Sequence, residues 1–310
     1  MSKQDRVTHD FPSRRLFMGL VAAGATASLA RGIPAFAQGA KPDLSAWDNT
    51  LEALDPKMFT KPTLITNKWM PQKPGTRYIY EGTTVEDDGK VVPHKIEINI
   101  TDLVEVIGGV ANVVSYDIDI SDNELVEAEL AFFAQDDVGN VWHFGQYPEE
   151  YEDGKFVRAP AWIHGYEHAY AGIMMKAEPK LGTRSYSQGY GPAVGWTDRG
   201  TTYQLGQDVT VRHGRYTDVM VVSETAKNEG DAFQLKYYAP GVGNIKVGWM
   251  GSAEKTKETL ELVKIEVLSP KELAAIRAKA LALEKSAYTR SKTVYALTKP
   301  MIQPNATKRG

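Results

Sequence analysis

From Pro71 onward, turns rich in Gly, Pro and Asp interrupt the sequence about every 8 to 15 residues, which is the spacing of an antiparallel β domain. The runs between these turns are rich in β-branched and aromatic residues. Strands do not alternate with helices, which argues against a dinucleotide-binding fold. We predict a mainly β domain over residues 61–268, preceded by a polar segment over residues 38–60, in which a twisted antiparallel sheet forms a half-open barrel or roll.

The sequence predicts one amphipathic helix near its C-terminal end. Ser269 is a suitable N-cap, and Pro270 suits the first helical position. Apolar residues then recur with the period of a helix. Those on the predicted buried face are Leu273, Ile276, Ala280, Leu283 and Ala287. We predict that residues 269–298 form a C-terminal helix docked on the sheet and that residues 299–310 form a flexible tail.

Residues 1–37 have the composition of a cleavable export signal. Arg14 and Arg15 precede a short apolar run, and Ala35-Phe36-Ala37 supplies the small-residue cleavage site. Paired arginines before such a run indicate the twin-arginine route. The run is shorter than the roughly 20 apolar residues needed to span a bilayer. We therefore expect the twin-arginine export machinery as a partner, a periplasmic or secreted location, and no transmembrane anchor after cleavage.

The chain contains no cysteine, which excludes disulfides, thiolate metal sites and a thiol nucleophile. Any metal would have to be held by His, Asp, Glu or backbone oxygens, as zinc, copper or calcium can be. The net charge of −3 gives no general attraction to nucleic acid, and we expect no nucleic-acid partner.

Two neighbouring predicted strands each carry a row of carboxylates. Asp117 and Asp119 alternate with apolar residues in the first strand, as Glu127 and Glu129 do in the second. Opposite residues of an antiparallel pair share a face. If the apolar sides face one core, Asp119 lies opposite Glu127. Asp117 then lies opposite Glu129, which requires a loop with an odd number of residues, for example residues 122–124.

The preceding strand extends this row if its apolar side is matched in the same way. Glu97 then lies beside Asp119, and Asn99 lies beside Asp117. Like charges opposite each other destabilise a sheet. One interpretation is a calcium site, since calcium prefers oxygen ligands, and hence a calcium-stabilised structural protein. The other is a solvated outer face, where water and salt screen the repulsion.

Three histidines suggest a different metal site. His164 and His168 would share one face if their segment were helical, and His143 lies in a nearby strand. With Glu127 or Glu129 they could bind zinc or copper in a metal-dependent hydrolase or lyase. The alternative is an exposed or merely hydrogen-bonded pair of histidines.

A long, Gly-rich stretch contains aromatic residues and charges that would suit a small ligand, because long ordered loops often line a site. The candidate ligand-binding residues are Trp162, Tyr166, Arg184, Tyr186, Tyr190 and Trp196. Ordinary packing of a lid over the sheet is the alternative interpretation.

Three motifs resemble one known family. They are Ala134-Gln135-Asp136 before Gly139-Asn140-Val141-Trp142, then Tyr237-Tyr238-Ala239-Pro240-Gly241-Val242-Gly243, and an opening Lys73-Pro74-Gly75-Thr76-Arg77-Tyr78. Together they resemble a widespread uncharacterised family of exported bacterial β-rich proteins, over roughly residues 62–268. The resemblance implies a secreted or lipid-anchored β domain and no catalytic residue. The family pattern has no His at positions 164 and 168, so it implies no role for that pair.

The late family motif also has a physical interpretation. Pro240-Gly241 predicts a type II turn, and Gly243 permits a second tight approach before the next strand. We interpret this motif as architectural. With no nucleophile motif and no cofactor fingerprint, the sequence favours an exported binding or accessory protein for an amphiphilic or aromatic small ligand or an envelope component.

Overall fold

The computed structural model describes residues 48–86 and 88–304. The predicted signal peptide, most of the polar segment after it and the last six residues of the predicted tail lie outside the described residues.

The described chain is mainly β, as the sequence predicts. It forms one long helix, α1 (Pro270–Arg290), and short 3-10 turns at Pro56–Met58, Pro192–Val194 and Tyr295–Leu297. The strands are β1 (Thr76–Val85), β2 (Val91–Ile107), β3 (Val110–Ser121), β4 (Glu124–Gln135), β5 (Val141–Glu152), β6 (Lys155–Arg158), β7 (Trp162–Ile163), β8 (Gly172–Met175), β9 (Tyr186–Ser187), β10 (Arg199–Val211), β11 (Gly214–Thr225), β12 (Phe233–Ala239), β13 (Gly243–Met250) and β14 (Thr259–Val267).

All fourteen strands belong to one antiparallel sheet. Its order is β6-β5-β4-β3-β2-β1-β14-β13-β12-β11-β10-β9, with β7 and β8 also paired to β5. Neighbouring strands are joined by hairpins, except that β1 pairs with β14. The first and last strands in the chain thus hold the two halves of the sheet together.

The sheet curls until its two ends approach each other. A backbone bridge joins Tyr170 to Tyr190, between the β5 side and the β9 side. At this seam Gly172 allows close contact, since a Cβ on it would lie 2.1 Å from the backbone nitrogen of Gly189. The sheet nevertheless does not close into a barrel, and the predicted half-open roll is confirmed.

Both faces of the curled sheet are buried over much of their area. Helix α1 covers the outer face of β2–β5, where Phe132, Phe144 and Tyr147 are fully buried. The inner face is packed by side chains from both halves of the sheet, such as Phe133 on β4 and Val222 on β11. The inside of the curl is therefore a second core.

The helix begins as predicted and ends earlier than predicted. Ser269 and Glu272 form a reciprocal capping box, and the predicted apolar face is buried against the sheet. After Arg290 the chain turns back, and the backbone of Ile302 pairs with Val104. Residues 299–310 were predicted as a flexible tail; in the described part of it, Met301 is buried in the core beneath α1. Within the described part of the chain, no helix is both long and apolar enough to cross a membrane.

The predicted register of β3 and β4 is confirmed. Asp117 lies opposite Glu129, and Asp119 lies opposite Glu127. The predicted three-residue loop is wrong, because Asp122 and Asn123 make a two-residue turn in which both have positive φ. A β-bulge next to Asp119 supplies the extra residue that restores the predicted faces.

The predicted register of β2 and β3 is wrong. Ile98 lies opposite Asp117, and Ile96 lies opposite Asp119, so Glu97 is on the other face, opposite Ile118. The prediction assumed a single core that all apolar residues must face. Since the curl creates a second core, the isoleucines of β2 face inward and share that face with the carboxylates of β3.

Candidate functional site

The inner face of the curled sheet encloses a cavity of about 110 Å³, which we call the inner cavity. Most of its walls are aromatic or aliphatic, and four buried polar side chains lie among them. The apolar and aromatic lining residues are Met70, Pro71, Tyr78, Tyr80, Ile98, Ile100, Phe133, Met174, Tyr238 and Val242. The buried polar ones are Gln72, Ser115, Asp117 and Lys236. The half-buried residues Met70 and Val242 mark its opening toward solvent.

Two of the three sequence motifs border the inner cavity, the one that ends at Tyr78 and the one from Tyr237 to Gly243. The turn after β12 forms as predicted, with the Val242 N–H donating to the Ala239 carbonyl at 3.1 Å and Gly241 at φ +76°. The Gly241 N–H donates to the Lys68 carbonyl at 2.7 Å, which ties this turn to the segment before β1. The late motif, interpreted from sequence as purely architectural, therefore also shapes the mouth of the cavity.

Asp117 is the carboxyl group in the lining of the inner cavity. It is 7% exposed, and the Ser115 hydroxyl donates to its Oδ1 at 2.5 Å. Burial raises the pKa of Asp117 to about 7, although hydrogen bonds from Ser115 and from the Asn99 backbone act in the opposite direction. Both of these stabilising donors are neutral groups.

Glu129 lies directly opposite Asp117 on β4. It is 1% exposed, and both of its carboxyl oxygens are buried. Burial, the nearby charges of Glu127 and Asp117 and a hydrogen bond with Glu127 raise the pKa of Glu129 well above its ordinary value, whereas the charge of Lys236 lowers it. A buried carboxyl with so few hydrogen bonds is costly for the fold, which makes it a candidate for interaction with a ligand.

Lys236 approaches the two carboxyls from the opposite half of the sheet. Its Nζ lies 2.7 Å from Glu224 on β11, and Glu224 also accepts a hydrogen bond from Gln188 at 2.7 Å. Lys236 lines both the inner cavity and an adjoining cavity of about 30 Å³. That second cavity has room for one or two water molecules.

His143 borders the smaller cavity as a neutral ring. It stacks on Phe133 at 4.9 Å between ring centres and meets the edge of Trp162 at 4.8 Å. Its ring nitrogens lie near backbone groups without a well-formed hydrogen bond. Burial lowers the pKa of His143 to about 3.

His94 is a second buried histidine, in a different electrostatic setting. Its Nε2 lies 2.6 Å from Asp119 and its Nδ1 lies 2.8 Å from Glu258. Burial opposes the charged ring, but the two carboxylates outweigh burial and raise the pKa of His94 to about 10. Glu258 also accepts a hydrogen bond from Gln234 at 2.7 Å. His94 is thus a buried imidazolium.

The histidines predicted as metal ligands lie apart. His143 is on the inner face of β5, whereas His164 packs against Phe144 on the outer face, with ring centres 5.9 Å apart. His168 is exposed and has φ +62°, in a turn rather than a helix. The structure does not bring the three side chains together.

The predicted carboxylate ligands do share a region. Asp117, Asp119, Glu127 and Glu129 lie on one face, inside the curl, whereas Glu97 lies on the other face. Among the described residues, no group of three or more His, Asp or Glu has the arrangement of a metal site. The solvated outer face considered as the alternative also does not apply, because Asp117 and Glu129 are buried.

Three of the predicted ligand-binding residues are core residues. Trp162 and Trp196 stack with their ring centres 5.7 Å apart, and Tyr186 is 2% exposed. Gly189 lies against Trp162, and a Cβ there would be 2.4 Å from the ring. These side chains do the ordinary packing that was the alternative interpretation of the long loop.

The other three predicted residues lie at separate surface positions. The Tyr166 hydroxyl donates to a backbone carbonyl near the C-terminal end, and Arg184 pairs with Asp48 at 3.2 Å. Tyr190 borders an open depression of about 430 Å³, whose lining includes Asp48 and Arg199. The six predicted residues therefore do not form one site.

Sequence reasoning missed Lys236, Glu224 and the cavity tyrosines Tyr78 and Tyr238. A usable signal was present in the run Phe233–Ala239, where Gln234 and Lys236 stand two apart among apolar residues. Such spacing places both polar side chains on one face of a strand.

Comparisons with known proteins give only weak similarity. No protein-family model matches the chain, and no curated protein matches it in sequence. Two solved structures align with 64% of the chain at 11% identity. One is a Bacteroides fragilis protein classed as exported, with a YMCC-like fold; it has a TM-score of 0.34 and is covered over 99% of its length. The other is a Parabacteroides distasonis protein classed as a lipoprotein; it has a TM-score of 0.33 and is covered over 97% of its length.

Proposed function

We propose that this chain is an exported binding protein whose inner cavity takes a small ligand with an apolar body and one polar end. The observation that carries the proposal is a cavity with apolar and aromatic walls and a few convergent polar groups, which is the usual form of a small-molecule site. The predicted signal peptide in residues 1–37 supports the exported location.

The walls favour a ligand with a ring or a short hydrocarbon chain. Tyr78, Phe133 and Tyr238 supply aromatic faces, and Met70 and Met174 supply flexible side chains near the opening. Burial of apolar ligand surface against such walls provides most of the binding free energy in sites of this kind. The polar groups then fix the orientation of the ligand.

The size of the cavity limits the ligand. One water molecule needs about 10–15 Å³ of comparable space, and the inner cavity offers about 110 Å³. Since a cavity of about 150 Å³ holds a benzene ring, a one-ring amphiphile would fill the inner cavity and extend through its opening, whereas a whole diacyl lipid is far too large. We therefore place the ligand among small amphiphilic or aromatic molecules.

The test uses three one-ring probes whose polar group is attached through the same two methylenes: phenylethylamine, phenylethanol and phenylpropanoate. Binding to protein labelled at the methionine methyl groups is followed by NMR. Methyl signals of Met70 and Met174 should shift on binding, because both line the cavity. The methyl signal of Met58, which is 41% exposed and outside the lining, should not.

A blocking variant adds a second criterion. Val242→Trp places an indole at the mouth and should abolish binding of every probe. Val267→Trp is the matched control, because Val267 is 82% exposed on β14 and does not line the cavity. If no probe shifts the two cavity methionines at millimolar concentration, or if both tryptophan variants bind alike, the proposed function is wrong.

A further inference from the structure

We propose that the polar end of the ligand is a cation, such as a protonated amine, bound by Asp117 and Glu129 inside the curled sheet. This inference rests on the proposed function and adds the chemical class of the group that the site recognises.

The first argument is geometric. Asp117 and Glu129 are directly opposite each other on β3 and β4, so their Cβ atoms lie about 4.5–5.5 Å apart on the same face. Asp117 lines the inner cavity, whereas Glu129 is beside it on β4 and does not belong to the lining. Both oxygens of Glu129 are buried. An ammonium group carries three donors, so one bound to Asp117 at the cavity wall would also lie close to the Glu129 carboxyl.

The second argument is the balance of charge. The two cations of this region already lie against other carboxylates: Lys236 against Glu224 at 2.7 Å, and His94 between Asp119 and Glu258. The charge of Lys236 also acts on Glu129, whose pKa it lowers. The groups that hydrogen-bond Asp117 are neutral, namely the Ser115 hydroxyl and backbone. An added positive charge therefore gains most beside Asp117.

The third argument is the protonation that the fold imposes. Burial raises the pKa of Asp117 to about 7 and, with neighbouring charges, raises the pKa of Glu129 well above its ordinary value. The two carboxyls thus retain protons near neutral pH in the absence of a cation. An ammonium bound beside them would displace these protons, so binding should release protons and strengthen as the pH rises.

An anionic end group of the ligand is less suited than a cation to the polar residues of the inner cavity. It would have to bind Lys236, which already lies 2.7 Å from Glu224. It would also bring a negative charge close to Asp117 and Glu129. The titratable groups on the elements that surround Asp117 are Tyr78 and Tyr80 on β1, His94 on β2, Asp119 on β3, Glu127 and Glu129 on β4, Glu224 on β11, and Lys236 and Tyr238 on β12. The carboxyls among these groups outnumber the two cations, His94 and Lys236.

The experiment compares the same three probes by calorimetry at about pH 8 and about pH 5. We expect phenylethylamine to bind at least about tenfold more tightly than phenylethanol at the higher pH, because its bonds to the carboxylates are charge-assisted. Its affinity should fall by about two orders of magnitude at the lower pH, as Asp117 with a pKa near 7 takes up its proton. Phenylpropanoate should bind most weakly at pH 8.

Two variants assign the effect. Asp117→Asn should remove both the preference for the amine and the pH dependence, while phenylethanol still binds. Its fold is not at risk, because it removes a buried carboxyl and keeps a polar group beside Ser115. Asp208→Asn is the matched control, since Asp208 is exposed and pairs with Arg215.

The outcomes separate this inference from the proposed function. If the alcohol or the acid binds as tightly as the amine, or if Asp117→Asn keeps the amine preference, the cation assignment is overturned and the cavity remains a binding site. If none of the probes binds, both ideas are rejected.

Discussion

Lys236 on β12 lies 2.7 Å from Glu224 on β11, and the two side chains are 9% and 3% exposed. They form a buried ion pair on the inner face of the half of the sheet that faces β3 and β4. Removing one partner of such a pair leaves an uncompensated charge, whereas replacing both often changes stability little. Each member of the Lys236 and Glu224 pair is therefore needed to compensate the buried charge of the other.

Lys236→Met should lower the free energy of unfolding by about 3–5 kcal/mol, because it leaves Glu224 buried beside an apolar group. The double variant Lys236→Met with Glu224→Gln should recover a large part of this loss. Urea denaturation of the four proteins in this cycle measures the coupling. Lys68→Met is the control, since the pair of Lys68 and Asp218 is exposed and should contribute little. Simple additivity of the two buried substitutions would contradict the prediction.

Asp117 should make the protein less stable as the pH rises. Its pKa is about 7 in the folded protein and near its ordinary 3.8 when unfolded, so the folded state binds the proton more tightly. Stability contributed by the protonated carboxyl is thus lost between about pH 4 and pH 7 and changes little above. Asp117→Asn should match the wild type at about pH 4 and exceed it by a few kcal/mol at about pH 8, since one pKa unit corresponds to about 1.4 kcal/mol. Denaturation curves at both pH values check this. A constant difference between the two proteins would count against it.

The fold was largely predictable from local pattern. Turn spacing predicted the strands, and the Ser269 cap predicted the start of α1, because both depend on short-range chemistry. The register of β3 and β4 followed from alternation of apolar and acidic residues. The register of β2 did not, since it depends on how far the sheet curls. Curling creates a second core on the inner face of the sheet. Ile98 can therefore lie on the same face as Asp117, directly opposite it.

The candidate site was only partly predictable. Asp117 and Glu129 were identified as a facing pair, but the side chain that approaches them, Lys236, comes from a strand more than 100 residues away. No local pattern encodes which distant strands meet across a curled sheet. The prediction that the aromatic residues of the long loop bind a ligand depends on the same distant contacts. Trp162 packs into the core because the two ends of the sheet approach each other.

A second buried acid pair should control the docking of the C-terminal segment. Glu105 is fully buried, and burial together with Glu284 raises its pKa to about 8, although a hydrogen bond from the Val106 backbone acts in the opposite direction. Glu284 accepts the Met301 N–H at 2.7 Å, and the Tyr288 and Tyr295 hydroxyls complete the ionisable groups around the pair. Ionisation of Glu105 as the pH rises toward 8 and above should therefore loosen this segment.

Hydrogen exchange at the backbone bridge between Val104 and Ile302 measures this loosening. Protection factors there should fall between about pH 6 and about pH 9, and Glu105→Gln should abolish the fall. Glu124→Gln, at the exposed first residue of β4, is the control. Equal protection of the wild type at both pH values would show that Glu105 does not govern docking.

His94 and His143 should titrate in opposite directions although both are buried. Burial lowers the pKa of His94, but Asp119 and Glu258 outweigh it and raise that pKa to about 10. For His143, burial is the largest effect, and it lowers the pKa to about 3. In nitrogen NMR, the His94 ring should remain an imidazolium at about pH 8, and the His143 ring should remain neutral at about pH 5.

The stabilising effect of His94 has a defined pH window. Because its folded pKa lies above the ordinary 6.5, its ion pairs contribute fully below about pH 6.5, and the contribution is lost as the pH rises through about 10. His94→Gln should thus destabilise the protein more at about pH 6 than at about pH 10. His143→Gln, which removes a ring that is neutral throughout this range, should have the same effect at both. A midpoint for His94 near 6.5 would mean that Asp119 and Glu258 do not hold the proton on the ring, and the excess of carboxylates inside the curl would then be larger than the ion pairs indicate.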